Sequence, residues 1–266
     1  MRELVIAILG AGEMATGIAH RLHTSHFTHI LMSEIPAPLA VRRAVSFSEA
    51  VYSGEIVVEG VRAERAGDLP ALPALWDRSA IAVLIDEDGA FLKTIKPDVL
   101  IDATMMKKPK ESPRDRAPFS RLVIGVGPGF RAPDHVDVVI ESNRGHDLGR
   151  AIYDGEAEPY TGIPGAIRGV TKKRVLRAPN AGLVRPVRAI GDMVKKGDVI
   201  LQVGESPVRA EIDGVLRGLI TPIEVSNNEK VGDVDPSGDR RHCFTISEKA
   251  RAIAGGVLEA IMRRFG

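Results

Sequence analysis

Leu4-Val-Ile-Ala-Ile-Leu-Gly-Ala-Gly-Glu-Met-Ala-Thr-Gly17 decides the fold of this chain. An apolar run ends in a glycine turn, and a helix follows. Gly10 permits the tight turn, Gly12 lets backbone approach a ligand closely, and Ala15 fills the small position where helix meets strand. Amides at such a helix start point outward and favour a phosphate. Glu34 closes the next strand, residues 29–34, at the distance where an acid commonly hydrogen-bonds a ribose hydroxyl. The stretch therefore predicts a strand–turn–helix unit that takes a nucleotide or NAD-like dinucleotide. The same residues also fit a loop that only packs or holds a different anion.

Outward from this stretch, residues 14–26 read as a helix. Pro36 and Pro38 break the chain, and residues 39–52 read as a second helix. Residues 55–59 alternate weakly, as an edge or hairpin strand does. Four apolar runs follow at 81–85, 99–101, 122–124 and 136–140, the pattern of buried parallel strands. The expected fold is α/β: a Rossmann-like, doubly wound sheet over 1–168. Ligands of such sheets bind beyond the carboxyl ends of the strands. Those ends deliver Gly10 to Gly17, Glu34, Asp102 to Lys107, Gly125-Val-Gly127-Pro-Gly129, and Arg144-Gly-His146-Asp-Leu-Gly-Arg150. Arginine, lysine and histidine around glycine loops point to an anionic or proton-exchanging ligand.

The grammar changes after a turn-rich segment at 156–169. Gly182-Leu-Val184 and Gly214-Val-Leu216 open two similar stretches of short strands with Gly-Asp turns, a near-repeat that implies two halves related by pseudo-symmetry. This part, 169–230, resembles the barrel-sandwich fold of biotinyl and lipoyl carrier domains. Such carriers hold a modified lysine in the turn between halves. Here that turn, near Gly204-Glu-Ser-Pro207, has none, so a docking module is expected instead of a swinging arm. The last stretch, 231–266, reads as an extension ending in a helix capped by Ser247 and interrupted by Gly255-Gly256. Asp233, Asp235, Asp239 and His242 fit a capped turn better than a metal site.

Composition sets the outer bounds. The chain has 266 residues and a formal charge of +1, giving no global pull toward nucleic acid or anionic membrane. Aromatics at 4% leave little for base stacking. Cys243 is the single cysteine, which fits a reducing compartment, and no run is long enough to cross a membrane. No secretory signal pattern opens the sequence, so a cytoplasmic location is expected.

Several stretches together resemble the YqeB-type proteins of selenium-dependent molybdenum hydroxylase systems. They are the glycine loop with Ala15-Thr16-Gly17, Arg42-Arg43 with Val45-Ser-Phe, Ile124-Gly-Val-Gly-Pro-Gly-Phe130, Arg144-Gly-His146 through Leu-Gly-Arg150, Thr161-Gly-Ile-Pro-Gly165, Gly232-Asp-Val-Asp-Pro236, and Cys243-Phe-Thr-Ile-Ser-Glu-Lys-Ala-Arg. The sequence departs from that pattern at Glu13, where aspartate is expected, and at Pro109, where asparagine is expected. The resemblance implies a maturation factor that acts on, or delivers to, a molybdenum hydroxylase or its cofactor-assembly proteins. Gly10, Gly12, Ala15 and Glu34 would hold the nucleotide, with Gly127, Gly129, Arg144, His146 and Arg150 lining the site. Cys243 would be the thiol for selenium or sulfur. The alternative is an NAD-dependent oxidoreductase with His146 or Lys107 as proton donor. A non-enzymatic scaffold, with the glycine loop structural, is the third. A homo-oligomer is left open.

Overall fold

The computed structural model describes residues 3–106 and 112–266. The chain divides into two compact units, one of residues 1–38, 46–160 and 246–266, the other of 39–45 and 161–245. The architecture is mixed α/β, with one large sheet dominated by parallel pairs and further antiparallel sheets.

The first unit begins with β1 (Ile6–Leu9), α1 (Glu13–Thr24) and β2 (Ile30–Glu34). The helix expected over 39–52 is absent. Residues 39–45 leave for the second unit, and on return the chain forms a 3-10 turn at Phe47–Glu49 and the short α2 (Ala50–Ser53). Tertiary pairing overrides helix propensity here: the Phe47 amide donates to Thr16 Oγ1 at 2.8 Å, and the Ser48 amide to the Ala11 carbonyl at 2.8 Å. The hairpin β3 (Glu55–Val58) and β4 (Val61–Ala66) follows at the sheet's edge, as its weak alternation predicts. Then come α3 (Leu72–Asp77), β5 (Ile81–Ile85), α4 (Leu92–Ile95), β6 (Val99–Asp102), α5 (Pro113–Arg116), β7 (Leu122–Val126), β8 (Arg131–Ala132), β9 (Val138–Ile140), β10 (Ala151–Ile152) and β11 (Gly155–Glu156).

The nine-stranded sheet has the order β10-β9-β7-β6-β1-β2-β5-β4-β3. Pairing is parallel from β9 to β4, and antiparallel at each end, β10 on β9 and β3 on β4. The chain runs outward from β1 on one side and then returns to β6 on the other. That reversal places the topological switch point at the carboxyl ends of β1 and β6, where such sheets bind ligands. On one face Ala7, Leu9, Leu31, Leu84 and Leu100 pack with Leu72 and Leu92. The alternate residues Ile6, Ile8, Ile30 and Met32 are fully buried as well, so both faces are covered.

The second unit contains β12 (Val175–Arg177), β13 (Gly182–Pro186), β14 (Met193–Val194), β15 (Val199–Val203), β16 (Ser206–Arg209), β17 (Gly214–Leu219), β18 (Glu224–Val225), β19 (Lys230–Asp235) and α6 (Arg241–Phe244). Two four-stranded sheets form, β12-β19-β17-β14 and β16-β15-β13-β18. Replacing each of β12 to β15 by its counterpart in β16 to β19, and the reverse, turns one order into the other. The near-repeat in the sequence is therefore an internal two-fold in the pairing. Gly182 and Gly214 open equivalent strands with φ of +153° and +159°, backbone that an L side chain rarely adopts. Val184, Ile200, Leu201, Leu216 and Val234 share the core. The unit runs to Thr245, and the inner strand β19 (Lys230–Asp235) spans the boundary expected at 231.

The last helix, α7 (Glu248–Phe265), belongs to the first unit and is continuous through Gly255-Gly256. Its buried stripe, Ala250, Ile253, Ala254, Val257, Ala260 and Ile261, covers the sheet face beside α1. Gly17 makes this possible, because a Cβ there would stand 2.7 Å from that of Ala250. Gly256 meets the Gly149 carbonyl in the same way, while a Cβ on Gly255 would touch nothing within 4 Å. The close approach hinted at by the glycine pair rests on one of the two.

Candidate functional site

The carboxyl edge of the first unit's sheet gathers the glycine turn, the ends of β2, β6, β7 and β9, and the first turn of α7. Gly10 turns the chain at φ +88°, and a Cβ there would lie 3.3 Å from the Ala103 carbonyl oxygen just after β6. Gly12 is different. It precedes α1 with φ −68° and ψ −174°, values open to any residue, and a Cβ there would meet nothing within 4 Å. No side chain caps this helix start. Ala15 is fully buried in the helix–strand contact, as its small size requires.

Glu34 turns inward instead of outward. One oxygen accepts the Ala11 amide at 2.8 Å and the other the Ile35 amide at 2.9 Å. Burial raises its pKa above the usual carboxylate value, and those two hydrogen bonds only partly oppose the rise. The acid thus clamps the glycine loop to the end of β2. This is a different duty from the ribose contact its position predicts.

The sequence places Asp102 at a strand end without assigning it a role. It ends β6 at 2% exposure, and its Oδ1 accepts from the Thr104 amide at 3.1 Å and the Thr104 hydroxyl at 2.7 Å. Burial pushes its pKa up, against those two bonds and the distant Arg116 charge. A charge-bearing residue closing an apolar strand at the reversal point was its only signal.

The glycine-proline loop is largely explained by packing. Gly125 makes room for the ring of Phe130, and Gly127, at φ +82°, lies against the Ser142 hydroxyl, with its amide donating to Ile140. Gly129 takes φ +104°. Glu141 is buried, and its two oxygens accept the amides of Asn143 and Glu158 at 2.6 and 2.7 Å. This pins the next turn, where Gly149 donates to the Glu141 carbonyl.

Of the basic candidates on that turn, Arg144 reaches the site's rim and pairs with Glu248 on the first turn of α7. Arg150 points to solvent and pairs with its neighbour Asp147 at 3.2 Å, so it does not line the site. His146 is exposed and makes no hydrogen bond to a described residue. Lys107 lies outside the described residues.

The same edge holds a cation that sequence reasoning did not assign. Lys249, in the first turn of α7, is half-buried within electrostatic range of Arg144, Glu13 and Glu141; burial, with the Arg144 charge, lowers its pKa below the usual lysine value. The signal was present in the Ser-Glu-Lys block, where a lysine in a helix's first turn opposes the helix dipole.

Cys243 belongs to the second unit and is fully buried there. Its Sγ donates to the Leu216 carbonyl at 3.8 Å, and burial pushes the thiol pKa up. An activated thiolate needs the reverse, an exposed and electropositive setting. This corrects the catalytic expectation for Cys243. The acids beside it are used internally: Asp233 is paired with Arg174 and Arg217, and Asp235 accepts the Ser237 amide at 2.8 Å. Among the described residues, no group of three or more His, Cys, Asp or Glu side chains is arranged to hold a metal ion. No described helix is long and apolar enough to cross a membrane.

No protein-family model matches the chain. Among solved structures, similarities reach a succinylglutamate desuccinylase/aspartoacylase of Rhodobacter sphaeroides (22% identity, 24% of this chain and 22% of that one, TM-score 0.21). They extend to an aspartoacylase family protein of Mesorhizobium loti (10% identity, 87% and 85%, TM-score 0.27). At such TM-scores neither bears on this molecule. A curated relative is the uncharacterized Escherichia coli K12 protein YqeB, 42% identical over 259 residues. The match covers 97% of this chain and 47% of the relative, so the chain spans about half the length of that protein. Its extent takes in both units, and over nearly its whole length the chain is similar to YqeB and consistent with a YqeB-type family.

Proposed function

We propose that the chain is an accessory factor of selenium-dependent molybdenum hydroxylases. Its first unit, a Rossmann-like sheet, holds a nucleotide or another phosphate-bearing cofactor at its carboxyl edge. The observation that carries the ligand reading is Gly12. Each neighbouring glycine has a duty inside the protein: Gly10 bends the chain at positive φ, and Gly17 admits Ala250. Gly12 has none among the described residues, since its backbone angles suit any residue and no described atom would lie within 4 Å of a Cβ there. It stands at a helix start without a side-chain cap, whose amides and dipole attract an anion. Open space at such a helix start fits a phosphate.

The chain's own residues then have defined roles. Gly10 and the Glu34 clamp on the Ala11 amide hold the loop open and fixed. The α1 amides bind the phosphate, and the buried Asp102 stands at the neighbouring strand end as a hydrogen-bonding partner for a sugar or base. The lysine-free turn at Gly204-Glu205 supports reading the second unit as a barrel-sandwich docking module for a hydroxylase or its cofactor-assembly proteins. The hydroxylase assignment rests on the YqeB-type kinship, and a cytoplasmic location is part of it.

Calorimetric titration of the full chain with NAD, NADP, CTP and ATP tests the ligand. Binding of one of them, abolished by Gly12→Val in a variant that melts like the wild type, is the expected result. No binding by all four, with no phosphate-bearing molecule retained by natively purified protein in mass spectrometry, refutes it. A deletion strain with undiminished molybdenum hydroxylase activity would refute the accessory role alone.

A further inference from the structure

We infer that Lys249 is a second, cationic wall of the same site and binds a phosphate group of the ligand seated at the start of α1; the inference rests on the ligand reading above. Three elements far apart in sequence are locked together around this residue. Gly17 of α1 sits against Ala250, the Gly149 turn sits against the Ala252 carbonyl, and Gly256 sits against the Gly149 carbonyl. These approaches leave no room for a Cβ and set the start of α7 against α1 and the loop after β9.

The charges there are unevenly spent. Arg144 is neutralised by Glu248. Glu141 gives both oxygens to backbone amides. Lys249 is half-buried and feels Glu13, Glu141 and Arg144, yet it makes no hydrogen bond and no ion pair within 4 Å to any described residue. An ammonium that loses water without gaining a direct partner costs free energy. Its position adds to that cost, because the amino end of a helix repels a cation. Glu13 and Glu141 favour the charged form, but among the first unit's described residues no direct contact repays the cost in full. An anionic ligand does, because the ammonium of Lys249 and the free amides of α1 both recognise phosphate oxygens.

The test titrates ADP, CDP and inorganic pyrophosphate, with adenosine and cytidine as uncharged controls, into wild type, Lys249→Met and Lys249→Arg. Loss of one charge-assisted contact weakens phosphate-bearing probes by about ten- to a hundred-fold in Lys249→Met, leaves the nucleosides unmoved, and is largely rescued in Lys249→Arg. Mass spectrometry of reductive methylation on the wild type gives a readout free of any folding defect: bound probe should protect Lys249. Wild-type affinity in Lys249→Met, or full methylation of Lys249 under saturating probe, overturns the role of this lysine and leaves the ligand reading standing. Failure of every phosphate-bearing probe to bind the wild type overturns both.

Discussion

The two units treat buried charge in opposite ways. In the second, charge is matched by charge: Arg174 and Arg217 both pair with Asp233, and Arg217 reaches Asp235 at 3.7 Å. Burial alone would raise the Asp233 pKa, but the charges of Lys230, Arg217 and Arg174 outweigh it and bring the value down. At the sheet edge of the first unit, Glu34, Asp102 and Lys249 are all shifted toward their neutral forms. A fully matched network holds a fold together, whereas ionisable groups kept at a cost mark the place where a ligand completes the structure.

The most severe way to break this comparison is to remove one partner from the matched network. Asp233→Asn leaves the buried Arg174 without its acid and Arg217 with Asp235 alone, and should cost about 3–5 kcal/mol. Asp102→Asn should cost under about 1 kcal/mol, because asparagine keeps the oxygen that accepts both Thr104 bonds and resembles the neutral acid. Urea denaturation measures both. Equal losses would mean that the two acids do the same work.

Next in size is the glycine pair of α7. Gly256→Ala drives a methyl into the Gly149 backbone and should lose about 1–3 kcal/mol, whereas Gly255→Ala gains about 0.5–1 kcal/mol from helix propensity alone. Thermal unfolding separates them by sign.

Acid sharpens the same contrast. Asp233 and Asp235 have folded pKa values below the ordinary 3.8, so their stabilisation is fully present above that value and is lost as pH falls through it. Glu34 and Asp102 have folded values above the ordinary ones, so the cost of ionising them is relieved as pH falls through those raised values. Lowering pH below about 4 should therefore cost the strands of the second unit their protection before the β1–β6 core, by hydrogen exchange corrected for intrinsic rate. Simultaneous loss in both would contradict the assignment.

Much of this fold is legible because local and global signals agree. The runs at 81–85, 99–101 and 122–124 are uniformly apolar, that at 136–140 is broken only by Asp137, and they become β5, β6, β7 and β9. The repeat opened by Gly182 and Gly214 is visible because both positions demand positive φ. The rest depends on contacts across the chain. Residues 39–45 abandon a helix to pair with β17, where the Leu219 amide donates to Val41. The site suffers in the same way. Gly10, Gly12 and Ala15 are readable because backbone geometry is local. Nothing near Glu34 in sequence says that it will turn back to the Ala11 amide, and nothing near Cys243 says that its thiol will be enclosed beneath Leu216. Lys249 stands far from Gly12 in sequence, and only the packing of α7 beside α1 brings their helix starts together.

The smallest expected change in stability is the most informative for function. Gly12→Ala adds a methyl where no atom of a described residue lies within 4 Å, on backbone angles that alanine accepts. Exchange of glycine for alanine before a helix should cost only a few tenths to about 1 kcal/mol. Gly17→Ala, five residues later, meets Ala250 at 2.7 Å and should cost about 1–3 kcal/mol from overpacking. If the open space beside Gly12 belongs to a phosphate, Gly12→Ala should weaken phosphate binding strongly while barely moving the melting temperature, and Gly17→Ala should do the reverse. Calorimetry and thermal unfolding on the two variants give four numbers. Binding unchanged in Gly12→Ala would return the glycine loop to the role of a structural turn, and the edge of the sheet would lose the one residue that the protein itself does not need.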